Sequence, residues 1–203
     1  EPARFVIDTP DKENAMLFAR VDLPANLSDA DMPALITADW IIGGSDGLSN
    51  RIVNRLRQKE GLSYGSGSNI TLPSFGNRAK WSVGAIVAPQ NLAQAEKSLK
   101  DELARAYRDG ITEAELAEAK RGIIGSRAVN RAQDGMVASN WVNNLETGRT
   151  WQFSKETEAA IEALTVEDVN KALRRFCDVS KLTFALAGDL AKAKAAGKDF
   201  TQP

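Results

Sequence analysis

Apolar residues recur at steps of three and four along part of the chain and at steps of two in several short runs, so helix and strand signatures alternate. The clearest helix runs from Gln90, with Leu92, Ala95, Leu99, Leu103 and Ala106 on one face and Gly110 as its stop. Thr112-Glu113-Ala114-Glu115 then reads as a capping box, opening a second long helix through Leu116, Ala119, Ile123 and Ile124, with an interruption expected near Gly135. Thr165 starts a last helix bearing Val169, Leu173 and Phe176. Near the start, Ser28 is the expected cap of a helix carrying Leu35, Ile36, Ala38, Trp40, Ile41 and Ile42, stopped by Gly43-Gly44. After a turn at Ser45-Asp46-Gly47, another helix is expected from Ser49 to Lys59, with Gly61 as a left-handed cap.

Strand signatures fill the gaps. Arg4 to Pro24 reads as extended, with Phe5 and Ile7 alternating and Met16 to Val21 as a second strand or a continuation. Leu62 to Leu72 and Arg78 to Val87 form a pair joined around Pro73-Ser74-Phe75-Gly76-Asn77. Gly65 and Gly67 inside the first of them suggest a bulge or a close backbone approach. Ser180 to Ala187 is the final strand. Short connections imply antiparallel pairing, so the expected fold is α+β, an antiparallel sheet with helices packed on one face. Residues 1–203 read as a single domain, with a loose Ala/Lys-rich tail over 190–203.

Composition narrows the chemistry. Hydrophobic residues make up 43% and charged residues 26% of the 203, and the net charge is −1, so no basic stripe points to nucleic acid. No apolar stretch is long enough to span a membrane. The histidine count is zero, which removes the commonest general base, the commonest zinc ligand and every Ser-His or Cys-His nucleophile arrangement. The lone Cys177 follows Phe176 on an apolar face and reads as a small buried hydrophobe.

Most motifs dissolve on inspection. Gly65-Ser66-Gly67 lacks the third glycine and the following helix of a dinucleotide site, and Gly43 to Gly47 lacks the lysine of a phosphate loop. Glu113, Glu115 and Glu118 read as a cap and a solvated face, with Glu115 taking a backbone N–H. Asn26-Leu27-Ser28 and Asn69-Ile70-Thr71 match glycosylation acceptors, a frequent chance pattern. More informative is the stretch from Arg51 to Tyr64. Arg57 falls in the last turns of a helix and Tyr64 at the start of the next strand, and a reversal at Gly61 can bring them to one rim of the sheet. A guanidinium fork and a phenol are two donors able to hold peptide carbonyls or an oxyanion. Spacing alone, however, favours a surface ion-pair arginine and a half-buried strand aromatic.

The ordered set of markers resembles the second domain type of the pitrilysin/insulinase family, which includes the mitochondrial processing peptidases. Leu56-Arg57 followed by Gly61-Leu62-Ser63-Tyr64 matches its signature. Gly43-Gly44, Asp109-Gly110-Ile111-Thr112, Glu115-Leu116, Ala119-Lys120, Gly125, Leu164-Thr165, Asp168-Val169 and Ala187-Gly188-Asp189 fit in the same order. The resemblance implies an antiparallel sheet with helices on one face. It also implies that Arg57 and Tyr64 hold substrate, while zinc belongs to a partner domain carrying His-x-x-Glu-His and a distal glutamate. No residue here can take the metal role, so the chain alone is expected to be catalytically incomplete, with no cofactor of its own. Its partners would be a zinc-bearing catalytic domain, in cis or in trans, and an extended peptide. Two rivals remain open at this point: a structural subunit related to respiratory-complex core proteins, and a stand-alone peptide-binding module. The pattern is most similar to bacterial members, which implies a periplasmic location.

Overall fold

The computed structural model describes residues 1–44 and 49–195. In chain order these form β1 (Arg4–Asp8), β2 (Ala15–Leu23), α1 (Met32–Ile42) and α2, which begins as Arg51–Val53 and widens into a π-helical turn over Asn54–Lys59. Then come β3 (Ser63–Thr71), β4 (Ala79–Val87), α3 (Leu92–Asp109), α4 (Glu113–Arg131), α5 (Asp134–Thr147), α6 (Trp151–Ala163), α7 (Val166–Phe176), β5 (Thr183–Gly188) and α8 (Leu190–Ala195). The strands form one sheet in the order β1-β5-β2-β4-β3.

Alternation in the strands decides which face is covered. Ala15, Leu17, Ala19 and Leu23 of β2, and Ala79, Trp81, Val83, Ala85 and Val87 of β4, are all buried. With Phe184 and Leu186 of β5 they form the floor on which the helices lie. The residues between them point the other way. Phe5, Ile7, Met16, Phe18 and Ile86 remain substantially exposed, so the second face of the sheet is open and rich in carbon. On the covered face, α3 buries Leu92, Ala95, Leu99, Leu103 and Ala106, the stripe that the periodicity predicts. Helix α7 adds Val169, Ala172, Leu173 and Phe176, and Cys177 is buried directly after it. Burial pushes the Cys177 thiol pKa up, in keeping with a packing role.

The α+β architecture with helices on one face is thus the one expected, with local differences. Three of the four strand pairs are antiparallel, but β1 runs parallel to β5. The opening extended stretch is two strands running in opposite directions, with β5 slotted between them, and no local signal announces an insertion from 160 residues downstream. The first helix starts at Met32, with Asp31 rather than Ser28 at the N-cap position and no side-chain capping hydrogen bond from it. Asn26 and Asp29 instead bend the chain through side-chain contacts to the Ser28 and Asp31 N–H groups, and Pro33 fits the first helical turn. The interruption near Gly135 is real: α4 ends at Arg131, and Gly148 in the left-handed region separates α5 from α6. The segment read as loose from Leu190 is helical as far as Ala195. Asp189 caps it by accepting from Lys192 N–H at 2.9 Å, and its Ala/Lys composition suits a helix. Residues 196–203 and the turn at Ser45-Asp46-Gly47 lie outside the described residues.

Candidate functional site

The segment carrying Arg57 and Tyr64 is irregular twice over. Asn50 caps α2, its side chain accepting from Val53 N–H at 2.9 Å. The helix then widens into a π turn at Asn54–Lys59, a feature found disproportionately at functional sites. Leu62 N–H closes back on Leu56 carbonyl at 2.8 Å, and Gly61 takes φ +62°, a conformation that costs a residue with Cβ. The chain reverses there into β3. A second irregularity follows at once: the β3–β4 register slips between Ser63 and Gly65, leaving Tyr64 as the extra residue of a bulge. The Ser63 hydroxyl sits 2.8 Å from the carbonyls of both Gly65 and Ile86 and can donate to either, bracing the slip.

The bulge throws Tyr64 outward, where it is 88% exposed, rather than half-buried as strand spacing alone suggests. The guanidinium carbon of Arg57 lies 5.8 Å from the centre of its ring. The two donors that the sequence places on one rim therefore meet there. The neighbouring arginines of the same helix behave differently. Arg51 Nε and Nη2 each donate to Glu115 at 2.7 Å, and Nη2 also reaches Gly110 carbonyl at 2.8 Å. Arg55 Nε lies 2.5 Å from Glu60 Oε1, a charge contact rather than an aligned hydrogen bond. Arg57, by contrast, has no carboxylate partner among the described residues, and its one recorded contact is the Tyr64 ring.

What sequence reasoning passed over is the contact between Arg51 and Glu115. Glu115 does close the capping box, accepting Thr112 N–H at 2.8 Å, as its spacing implies. Its second task, clamping α2 to the start of α4, joins residues 64 apart and leaves no local trace. Burial pushes the Glu115 carboxyl pKa up, but the Arg51 and Thr112 hydrogen bonds outweigh it and hold the value below the ordinary glutamate range. The Arg51 pKa is raised in turn, first by its hydrogen bond to Glu115.

A second anchor was equally invisible. Asp39 of α1, almost fully buried, accepts from Ser68 Oγ at 2.6 Å, Trp81 Nε1 at 2.9 Å and Ile70 N–H at 3.2 Å. It ties the helix layer to β3 and β4. Burial dominates its titration and raises its pKa despite the three donors. No group of three or more acidic or cysteine side chains among the described residues is placed to hold a metal ion, and the sequence offers no histidine. The residues present do not fit a zinc site. No helix among the described residues is long and apolar enough to cross a membrane.

Residues 1–123 match a family model described as the peptidase M16 inactive domain. No curated protein sequence matches the chain significantly. Among solved structures, the chain is similar to a peptidase M16 inactive domain from Pseudomonas fluorescens, with TM-score 0.82 and 23% identity over 93% of this chain and 43% of that one. A protease from Helicobacter pylori aligns with TM-score 0.80 and 18% identity over 92% of this chain and 44% of that one. A chain of complex III2 from Candida albicans gives TM-score 0.72 and 16% identity over 97% and 48%. The chain therefore spans less than half the length of each, and at these identities the likeness is one of fold.

Proposed function

The chain belongs to the peptidase M16 inactive-domain family, and from that premise we propose that it is the substrate-holding part of a zinc metalloendopeptidase, completed by a zinc-bearing catalytic domain. The observation that carries this reading is the exposed Arg57–Tyr64 pair, set by a π turn and a bulge, with no competing internal partner among the described residues. The metal and the activation of water at it are assigned to the partner, since the sequence has no histidine and no group of three or more acidic or cysteine side chains among the described residues is placed to hold a metal ion.

In this reading the peptide lies extended across the cleft, held mainly through its main chain. Arg57 offers N–H donors in a fixed fork and Tyr64 one O–H. Aimed at a carbonyl oxygen, such donors strengthen as negative charge develops on it, which is how they assist cleavage without touching the metal. Gly61 permits the reversal that brings them together, and the Ser63 hydroxyl and the Arg51–Glu115 clamp hold the segment in place. A periplasmic location goes with this reading on the resemblance to bacterial members alone.

The test is kcat/KM of the assembled enzyme with Arg57→Ala and Tyr64→Phe, each expected to lose on the order of a hundredfold. Full activity in both variants sinks the assignment. The likeness to a complex III2 chain favours a second reading, a structural subunit with no peptidase partner. Under it, the native-length assembly contains no zinc and cleaves no peptide, whereas the first reading expects about one zinc per catalytic domain.

A further inference from the structure

Beside Tyr64 the open face of the sheet carries a hollow that the fold does not require. Gly65 pairs across to Ile86, and Gly84 lies between Gly67 and Phe18 on neighbouring strands. The absent side chains leave a space of about 260 Å³, walled by Met16, Phe18 and Ile86 and lined almost wholly by carbon. All three wall residues are exposed, at 51%, 41% and 40%.

The glycines differ in their reasons. A Cβ on Gly67 would sit 2.7 Å from the Gly43 carbonyl oxygen, and one on Gly84 would sit 3.3 Å from that of Leu17. Packing therefore accounts for both. Gly65 has no such reason: a Cβ there meets nothing within 4 Å, and its φ is not positive. Glycine inside a strand weakens it, so a glycine with no internal need points outward, to something that approaches from the open side.

We propose that this hollow receives a large apolar side chain of the peptide held by Arg57 and Tyr64, and so sets a side-chain preference close to the cleaved bond. The proposal rests on the reading of that pair given above. Gly65 directly follows Tyr64, so a peptide held there passes over the hollow. In an extended peptide successive side chains point to opposite sides, so one of them faces the sheet while its neighbours face away. The space is smaller than the ~300–1,000 Å³ clefts that enclose whole ligands, which suits a single side chain. The outer edge of β3 is not free to pair with a peptide at its middle, because Ser68 N–H already donates to Gly43 carbonyl at 2.7 Å. The peptide therefore crosses the face rather than extending the sheet.

The experiment measures kcat/KM of the assembled enzyme on peptides that differ at one position near the cleaved bond, carrying Ala, Leu, Phe or Trp. The expected preference of Phe over Ala is about tenfold or more, the range that extra methylenes in an apolar pocket provide. Gly65→Val fills the hollow and should bring that ratio close to one. Ile86→Ala enlarges it and should shift preference from Phe toward Trp, which keeps the test intact if the first variant folds poorly. Ratios that do not move in either variant overturn the proposal. So does an equal loss on every peptide, the outcome if another domain, rather than substrate, covers this face. Arg57→Ala and Tyr64→Phe should lower all peptides by a common factor and leave the ratios alone, so failure of the pair's role and failure of the hollow's role read out separately.

Discussion

The Arg57 guanidinium carbon stands 5.8 Å from the centre of the Tyr64 ring, and among the described residues neither side chain has another partner. A contact of this kind at an exposed site contributes only ~0.5–1 kcal/mol. The local backbone, by contrast, departs from regular structure at both ends of the connection, through the π turn and the bulge. Stability is thus a weak reason for the arrangement, which is compatible with the substrate-holding role proposed for the pair.

It follows that Arg57→Ala and Tyr64→Phe should change unfolding free energy by no more than ~0.5–1 kcal/mol while turnover collapses. Arg57→Lys should not restore activity, because an ammonium keeps the charge but loses the planar fork. Thermal melts alongside kcat/KM decide this. A melting temperature that falls in step with activity would make the pair a structural element instead.

The parts legible in the sequence are those whose cause is local. The α3 stripe, the capping box at Thr112–Glu115, the left-handed Gly61 and the strand ending at Val87 all stand where the sequence places them. What spacing could not convey is contact across long separations. The insertion of β5 between β1 and β2 depends on pairing Phe5 with Ala185, and Phe18 with the same residue from the other side. At the candidate site, the rim position of Arg57 and Tyr64 was readable from one turn and one strand. The Arg51–Glu115 clamp and the donors around Asp39 were not, because a buried carboxylate and a surface one look alike until the chain has folded.

The clamp itself is testable. Glu115→Gln removes the charge from two short hydrogen bonds to Arg51 and weakens the capping box, so a loss of about 1.5–3 kcal/mol is expected. Since Arg51 and Arg57 share one short helix, turnover should fall as well, with Arg57 present but misplaced. Urea unfolding of the variant, with kcat/KM measured where it remains folded, separates the two effects. An unchanged midpoint would show that the clamp is not a support for the site.

Asp39 gives a sharper case, because its partners are buried. Asp39→Ala would leave the Trp81 indole N–H and the Ile70 N–H without their acceptor, in a region where Trp81 is 1% exposed. Each unsatisfied donor costs ~1–3 kcal/mol, so a total of roughly 2–6 kcal/mol is expected. Trp81→Phe removes one donor and its hydrogen bond together and should cost less. If the two variants unfold at the same urea concentration, Asp39 is not the anchor its geometry indicates.

Gly61 and Gly65 lie four residues apart and should respond to alanine with opposite signs. At Gly61 the positive φ penalises any Cβ, so Gly61→Ala should destabilise by ~1–2 kcal/mol. At Gly65 the φ is ordinary and the space is open, so Gly65→Ala should stabilise by up to ~1 kcal/mol, through the lower entropy of the unfolded chain. Urea midpoints of the pair test this directly. Destabilisation at both positions would mean that the bulge needs glycine at 65, and the outward reason for that residue would disappear.

The pH dependence of stability follows from opposed shifts at named groups. Glu96 accepts from Arg4 at 2.9 and 2.8 Å and from Lys100 at 2.7 Å. Burial pushes its pKa up, but those hydrogen bonds prevail and leave it below the ordinary value of 4.5. A carboxylate whose pKa is depressed by folding contributes stability that is present above the unfolded value and is lost as pH falls through the folded one. Glu96 and Glu115 therefore act together to weaken the fold below about pH 4.5. Asp39 runs the other way: burial raises its pKa, so its contribution is full below 3.8 and declines as pH rises through the folded value. The depressed glutamates and the raised aspartate therefore pull in opposite directions in acid, and the Glu96 contribution is isolated by its own variant. Chemical unfolding at a series of pH values should show Glu96→Gln with lower stability at pH 7 but a flatter fall below pH 4.5 than the wild type. A variant curve parallel to the wild type throughout would mean that the Arg4–Glu96 pair does not govern the acid limb.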